Sequence, residues 1–227
     1  DWITQARRAF DHIVTTMTDG SRLKHSARDG RVLDVAMIDD YSHMADAALA
    51  LHEVTGDATL IENARAWVAT ALAHYWDDRA GGFFFTADNA EALIVRTKTA
   101  LDNATPSGNG TMVSVLSRLW HLTGEDTYRA HAQAIGTTFS QDVLANPMAH
   151  AVLISNLDLL NRVMQVVIVG SRGEQMTDAM LSEVWQAGRQ DTVVSVITSG
   201  ETLPDGHPAT GKGQVDGLAT AYVCEGP

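Results

Sequence analysis

The chain has one cysteine in 227 residues, Cys224, so no intrachain disulfide can form. That suits a reducing compartment. No CxxC, HExxH, P-loop or GxGxxG pattern occurs, which leaves no strong signature of a metal or a nucleotide cofactor. No cofactor and no metal are therefore expected. No apolar run approaches the roughly 20 residues that cross a bilayer, and no secretion signal is visible; cytoplasmic residence is the expectation. Basic residues are scarce, 16 Lys and Arg against 28 Asp and Glu, for a net charge of −12. A nucleic-acid or anionic-membrane partner would want a basic face, so neither is expected. The chain begins with Asp1 rather than Met and reads as a piece of something longer.

What is present is helix. Asp102 to Gly124, DNATPSGNGTMVSVLSRLWHLTG, reads as a loop, a sharp helix start, a nearly all-apolar helix and a stop. Pro106 disfavours helix at Thr105, and Ser107 or Asn109 can cap the N–H groups that follow. Met112, Val113, Val115, Leu116, Leu119, Trp120 and Leu122 are too many apolar residues for a surface helix, so it should be covered on both sides. Gly124 ends it. The unit repeats: Thr55-Gly56-Asp57 matches Thr123-Gly124-Glu125, Ala64 matches Ala132, and Asp39-Asp40-Tyr41 falls opposite Ser107-Gly108-Asn109. A repeated αα-hairpin marks helical arrays and toroids.

In order, an amphipathic helix over Trp2–Met17 is followed by a polar loop, residues 21–37, with room for one short strand. A helix starting at Asp39 or Asp40 pairs with another from Ala58 to about Trp76. Phe83-Phe84-Phe85-Thr86 and Leu93-Ile94-Val95-Arg96 flank a turn and read as an inserted β-hairpin. Tyr128, Ala132, Ile135 and Phe139 mark the next outer helix, and Asn146-Pro147 starts another inner one, roughly Ala149 to Val163. At Gln165 the pattern changes: VVIVG and TVVSVIT are apolar strands, ATAYV a third, with a helix capped by Thr177 or Asp178 between the first two. The division expected is a toroid portion, 1–164, and a small α/β segment, 165–227. Gly170-x-x-Gly173 resembles a phosphate-binding turn, but strand-to-helix turns commonly need glycine anyway.

DDYSHMADAALALHEVTGD, DDRAGGFFFT, Arg96-x-Lys98 with Asp102, PSGNG and the closing AYVC, in this order, resemble the spermatogenesis-associated protein 20 family, including its bacterial YyaL-type, thioredoxin-domain-containing members. The resemblance implies a mainly α fold, a portion of a six-hairpin glycosidase-like α/α toroid with an inserted β-hairpin and a C-terminal α/β appendix. It also implies a thioredoxin-like domain and a first part of the toroid lying before this chain, against which the chain would pack. The family usually carries a second cysteine shortly after the one matching Cys224.

In a toroid of this kind the inner-helix N-termini crowd one mouth. Asp39, Asp40, Tyr41 and His43 would then lie beside Ser107 and Asn109, with His150 near the third inner helix. Adjacent carboxylates near an imidazole are acid/base equipment, because crowding raises one carboxyl and leaves a donor and an acceptor. Sugar hydrolysis uses such pairs, and epimerisation uses a base and an acid on opposite faces. The candidate catalytic residues are Asp39, Asp40, His43 and Asp102; the candidate substrate-binding residues are Tyr41, Arg96, Lys98, Ser107, Asn109 and His150. A bland reading stands beside each. Asp39, Asp40 and Ser107 also look like helix caps, His43 and His150 like packed core histidines, and Arg96, Lys98 and Asp102 like a set that holds a loop. The expected function is a carbohydrate-active domain, glycosidase- or 2-epimerase-like, with a small-molecule or sugar ligand. The alternatives are a non-catalytic sugar- or peptide-binding module and a redox-linked scaffold.

Overall fold

The computed structural model describes residues 1–33, 35–90, 94–203 and 207–226. The first helix, α1 (Trp2–Met17), is capped by Asp1, which accepts the Thr4 N–H at 2.7 Å. Two short antiparallel ribbons follow: β1 (Thr18–Asp19) with β2 (Arg22–Leu23), and β3 (Ser26–Arg28) with β4 (Arg31–Leu33). The β-ribbons among the described residues therefore sit between α1 and the next helix, and not at 83–90 or 94–96. There the described residues form no strand pair beyond a Trp76–Phe83 bridge, although the Phe85 N–H donates to Thr97 O at 2.8 Å. The reason lies elsewhere in the chain: the N–H and carbonyl of Phe83 are both taken by the Asn109 side chain, at 2.7 and 2.9 Å. Leu93, the start of the second expected strand, lies outside the described residues.

The helical body comprises α2 (Ile38–Thr55), α3 (Ala58–Tyr75), α4 (Gly108–Thr123), α5 (Asp126–Thr138), the short α6 (Ser140–Ala145), a 3₁₀ turn at Pro147–His150 and α7 (Ala151–Arg162). The third inner helix thus begins two residues later than its sequence pattern suggests, after the turn that Pro147 opens. Helices α2, α4 and α7 pack side by side as an inner layer, with α3 behind α2 and α5 behind α4. The central helix α4 is covered on both sides, as its composition demands: Met112, Val113, Val115, Leu116 and Leu119 are fully buried. Each such side chain contributes about 1.5–3 kcal/mol relative to exposure.

The repeat is exact in its turns. Gly56 and Gly124 both adopt the left-handed conformation, φ 76°, which glycine reaches without a Cβ clash. Before each, Thr55 and Thr123 donate to Leu51 O and Leu119 O, both at 2.7 Å. After each, an acid meets an arginine of the preceding outer helix: Arg7 of α1 binds Asp57 at 2.6 Å, and Arg65 of α3 binds Glu125 at 2.5 Å.

The C-terminal residues form a three-stranded sheet, order β6-β5-β7, from β5 (Met164–Val169), β6 (Thr192–Ile197) and β7 (Thr220–Glu225). Strands β5 and β6 are parallel, joined through α8 (Gln175–Ala187); β7 runs antiparallel at the edge, with Cys224 exposed. Neither Thr177 nor Asp178 is the residue at which α8 starts. Thr177 is buried inside the first turn, and Asp178 reaches back to accept the Gly173 N–H at 3.0 Å. The glycine turn after β5 acts as a clamp: Arg172 donates to Glu53 O at 2.8 Å and to Val54 O at 3.1 Å, satisfying carbonyls at the α2 C-terminus.

Candidate functional site

Three inner-helix N-termini meet at one mouth, and carboxylates tie them together. Asp102 accepts the Ser107 N–H with one oxygen at 3.0 Å and the Val152 N–H with the other at 2.9 Å, bridging the starts of α4 and α7. Asp39 accepts the Gly108 N–H at 2.9 Å, bridging α2 to α4. Asp40 closes its own helix, accepting the Met37 N–H at 2.7 Å, and meets His25 Nδ1 at 2.9 Å. Ser107 Oγ accepts the Gly110 N–H at 3.2 Å. Gly108 is required by this crowding, since a Cβ there would lie 2.4 Å from the Asp39 carboxylate. A negative charge beside unsatisfied helix N–H groups is stabilised by the helix dipole. Removing the bridge with Asp102→Ala is expected to lower unfolding free energy by about 2 kcal/mol, as two charge-assisted bonds to part-buried amides go unmade. A urea midpoint within error of the parent's would sink that account.

Beside these starts lies a cleft of about 230 Å³. Its walls mix apolar groups (Ile38, Phe85, Leu101, Pro106) with hydroxyl and amide groups (Thr99, Ser107, Asn109). Asp39 is the one ionisable side chain among its described lining residues. Burial pushes the Asp39 carboxyl up, while His43 and the Gly108 N–H pull it down. His43 Nε2 is buried with no hydrogen-bond partner among the described residues. Neither Asp40 nor Asp102 lines the cleft.

Ser107 and Asn109 reach the cleft wall, but the Asn109 amide is already spent on Phe83 and on Thr99 O, the latter at 2.8 Å. Arg96 instead donates to Thr86 O and His74 O, at 2.6–3.0 Å, and lies 4.3 Å from the Phe84 ring centre. Lys98 pairs with Asp77 at 2.7 Å and Gly81 O at 2.6 Å. Both cations hold the 77–86 loop. His150 is buried, with Nδ1 2.9 Å from Asn146 O. Tyr41 faces elsewhere: its hydroxyl accepts the Leu23 N–H at 3.1 Å, and its ring packs on Tyr75. With Tyr75 it lines a second cavity of about 350 Å³, whose wall includes Arg22 and Asn89. Arg22 bonds His74 Nε2 at 2.8 Å, and His74 Nδ1 meets Asp88 at 2.9 Å. No spacing in the sequence announces that chain, because its members come from a ribbon, a helix end and a loop. The cleft residues Thr99 and Leu101 likewise carry no motif.

Among the described residues, no three His, Cys, Asp or Glu side chains gather as a metal set. Among the described residues, no helix is long and apolar enough to cross a membrane.

No protein-family model matches the chain. Among curated proteins it is similar to spermatogenesis-associated protein 20 of Mus musculus, 28% identical over 146 residues, and to that of Rattus norvegicus, 27% identical over 146 residues. Each match covers 63% of this chain and 18% of the relative, so the chain spans less than a fifth of their length. Among solved structures it is similar to a selenomethionine derivative of the GH76 α-mannanase of Bacteroides thetaiotaomicron, with a TM-score of 0.53 and 11% identity over 66% of this chain and 43% of that one. These matches bear out the resemblance carried by the ordered motifs, and the fold is that of a glycosidase-like α/α toroid.

Proposed function

We propose that the mouth of this toroid binds a carbohydrate without hydrolysing it, with Asp39 as the anchoring acid. The observation that carries this reading is the composition of the cleft. Among the described residues, apolar walls and one aromatic ring stand with hydroxyl and amide groups around a single carboxylate, which suits sugar rings, with their apolar faces and hydroxyl edges. Glycoside hydrolysis needs two carboxyl groups across the scissile bond. Here the other two candidates, Asp40 and Asp102, are held by helix N–H groups outside the cleft. The likeness of the fold to an α-mannanase supports a sugar as the ligand class. The net charge of −12 supports a reading without nucleic-acid or anionic-membrane partners, and the single cysteine suits the cytoplasm.

The test is titration calorimetry against mannose, mannobiose and a panel of neutral monosaccharides, with reducing-sugar release followed in parallel. Binding without release is expected, and Asp39→Asn should weaken it about tenfold, the worth of one charge-assisted hydrogen bond. Silence across the whole panel overturns the proposal. A second reading is favoured by one observation: the Asp39 carboxyl is raised by burial near His43, whose Nε2 has no hydrogen-bond partner among the described residues, as a general acid would be. Sugar release abolished by Asp39→Asn would replace binding with glycosidase-like catalysis.

A further inference from the structure

The β1–β2 ribbon is tied to both helices behind it. Its tip is fastened to α3, where Thr70 Oγ1 donates to Ser21 Oγ at 2.9 Å. Its second strand is fastened to α2, where the Leu23 N–H donates to the Tyr41 hydroxyl at 3.1 Å. Tyr75 of α3 donates to Ala36 O at 2.7 Å and so holds the segment that leads into α2. These ties enclose the cavity of about 350 Å³ noted above, a volume within the range of small-molecule sites. Tyr41 and Tyr75, 1% and 2% exposed, form its floor. Tyr75 belongs to an outer helix, so the cavity lies over the α2–α3 hairpin. It shares no described lining residue with the cleft around Asp39.

Two opposite charges line this cavity from the one ribbon. Asp19 and Arg22 are direct cross-strand partners, which puts their side chains on the same face. They do not pair with each other. Arg22 Nη2 donates to His74 Nε2 at 2.8 Å, and Nη1 to Asn89 Oδ1 at 3.3 Å. A guanidinium only donates, so His74 Nε2 is the acceptor, and its Nδ1 bears the proton given to Asp88 at 2.9 Å. The Arg22–His74–Asp88 chain thus fixes the guanidinium with no carboxylate directly on it among the described residues. Two of its five N–H groups are used and the rest are left over. The Asp19 carboxylate makes no ion pair or hydrogen bond among the described residues. Lys24 adds a second positive charge to the wall.

We infer that this cavity binds a free α-amino acid with an apolar or aromatic side chain. The carboxylate sits on the Arg22 guanidinium, the ammonium on Asp19, and the side chain on the rings of Tyr41 and Tyr75. An arginine fork matches a carboxylate with two parallel bonds. Opposite charges held side by side on a ribbon, yet not spent on each other, match a zwitterion, whose own two charges are fixed and adjacent. Leu23, Ala36 and Ala87 complete the wall; they are buried and apolar, so the ligand side chain finds no polar group to satisfy there. Because the two sites share no described residue, the inference stands whether or not the cleft binds sugar.

Titration calorimetry of the full chain with four probes reads the contacts separately. L-phenylalanine should bind about tenfold more tightly than 3-phenylpropanoate, which lacks the ammonium, and than phenethylamine, which lacks the carboxylate. L-alanine, which keeps both charges, should also lag about tenfold for want of a ring on the tyrosines. Arg22 and Asp19 are exposed positions of the ribbon, so substitutions there leave the helical body intact. Arg22→Gln should weaken L-phenylalanine about tenfold. Asp19→Asn should do the same while leaving 3-phenylpropanoate unchanged, a difference that a damaged fold would not produce. Equal binding of L-phenylalanine and 3-phenylpropanoate would take Asp19 out of the site and overturn the inference. So would preference for phenethylamine, no binding of L-phenylalanine, or binding that survives Arg22→Gln.

Discussion

Arg118→Met is expected to destabilise the protein by about 4 kcal/mol near neutral pH, because it strands a buried charge. Glu53 is 4% exposed, and its described ionic partner is Arg118, itself largely covered between α2 and α4. Burial pushes the Glu53 carboxyl up, and Arg118 is the influence that pulls it down. With methionine in place, the upward push is unopposed. A carboxyl raised in the folded state contributes stability that is complete below its unfolded pKa and is lost as pH rises through its folded pKa. The deficit of the variant should therefore be small in mild acid, where Glu53 takes a proton, and should grow toward neutrality. Urea unfolding at about pH 5 and about pH 8 reads this directly. Adding Glu53→Gln should recover much of the loss at the higher pH, since a neutral amide tolerates burial better than an unpaired carboxylate. A deficit that does not change with pH would mean that the guanidinium matters for its packing and not its charge.

Asn109→Ala should cost about 3 kcal/mol, because two buried hydrogen bonds and one part-buried one end on one side chain. Asn109 is 1% exposed; it accepts the Phe83 N–H and donates to Phe83 O and Thr99 O. It thereby fastens the 83–99 segment to the first turn of α4. Asn109→Asp should be no better than alanine, since it keeps one acceptor but sets a carboxylate against two carbonyls. Beyond the fall in global stability, exchange of the Phe83 amide should quicken more than that of residues deep in α4, such as Leu116. Uniform quickening would show that the side chain merely fills space.

The helical body was legible because its signals are local. The Trp2–Met17 stripe, the T-G-acid turns and the all-apolar run of α4 each state their role within a few residues, and the repeat links them. The aromatic run at 83–85 was misleading for the same reason. Its β pattern is local, whereas the groups that claim its backbone come from Asn109, 26 residues further on. The repeat puts Asp39, Asp40, Ser107 and Asn109 at matching helix starts, yet capping and catalysis ask for the same side chains at the same positions. Only the direction of each carboxylate separates the two.

The amino-acid sequence by itself determined the helices, their order, the glycine stops and the inner-versus-outer alternation, since these follow from periodicity and backbone preference within single hairpins. The tertiary structure alone decided which carboxylate faces the cleft, that Arg96 and Lys98 serve a loop, that Arg172 clamps α2, and that Arg22 turns to His74 and not to Asp19, its neighbour across the ribbon. Those outcomes depend on hydrogen bonds and contacts between segments tens of residues apart, where every polar group takes the partner that packing brings within reach.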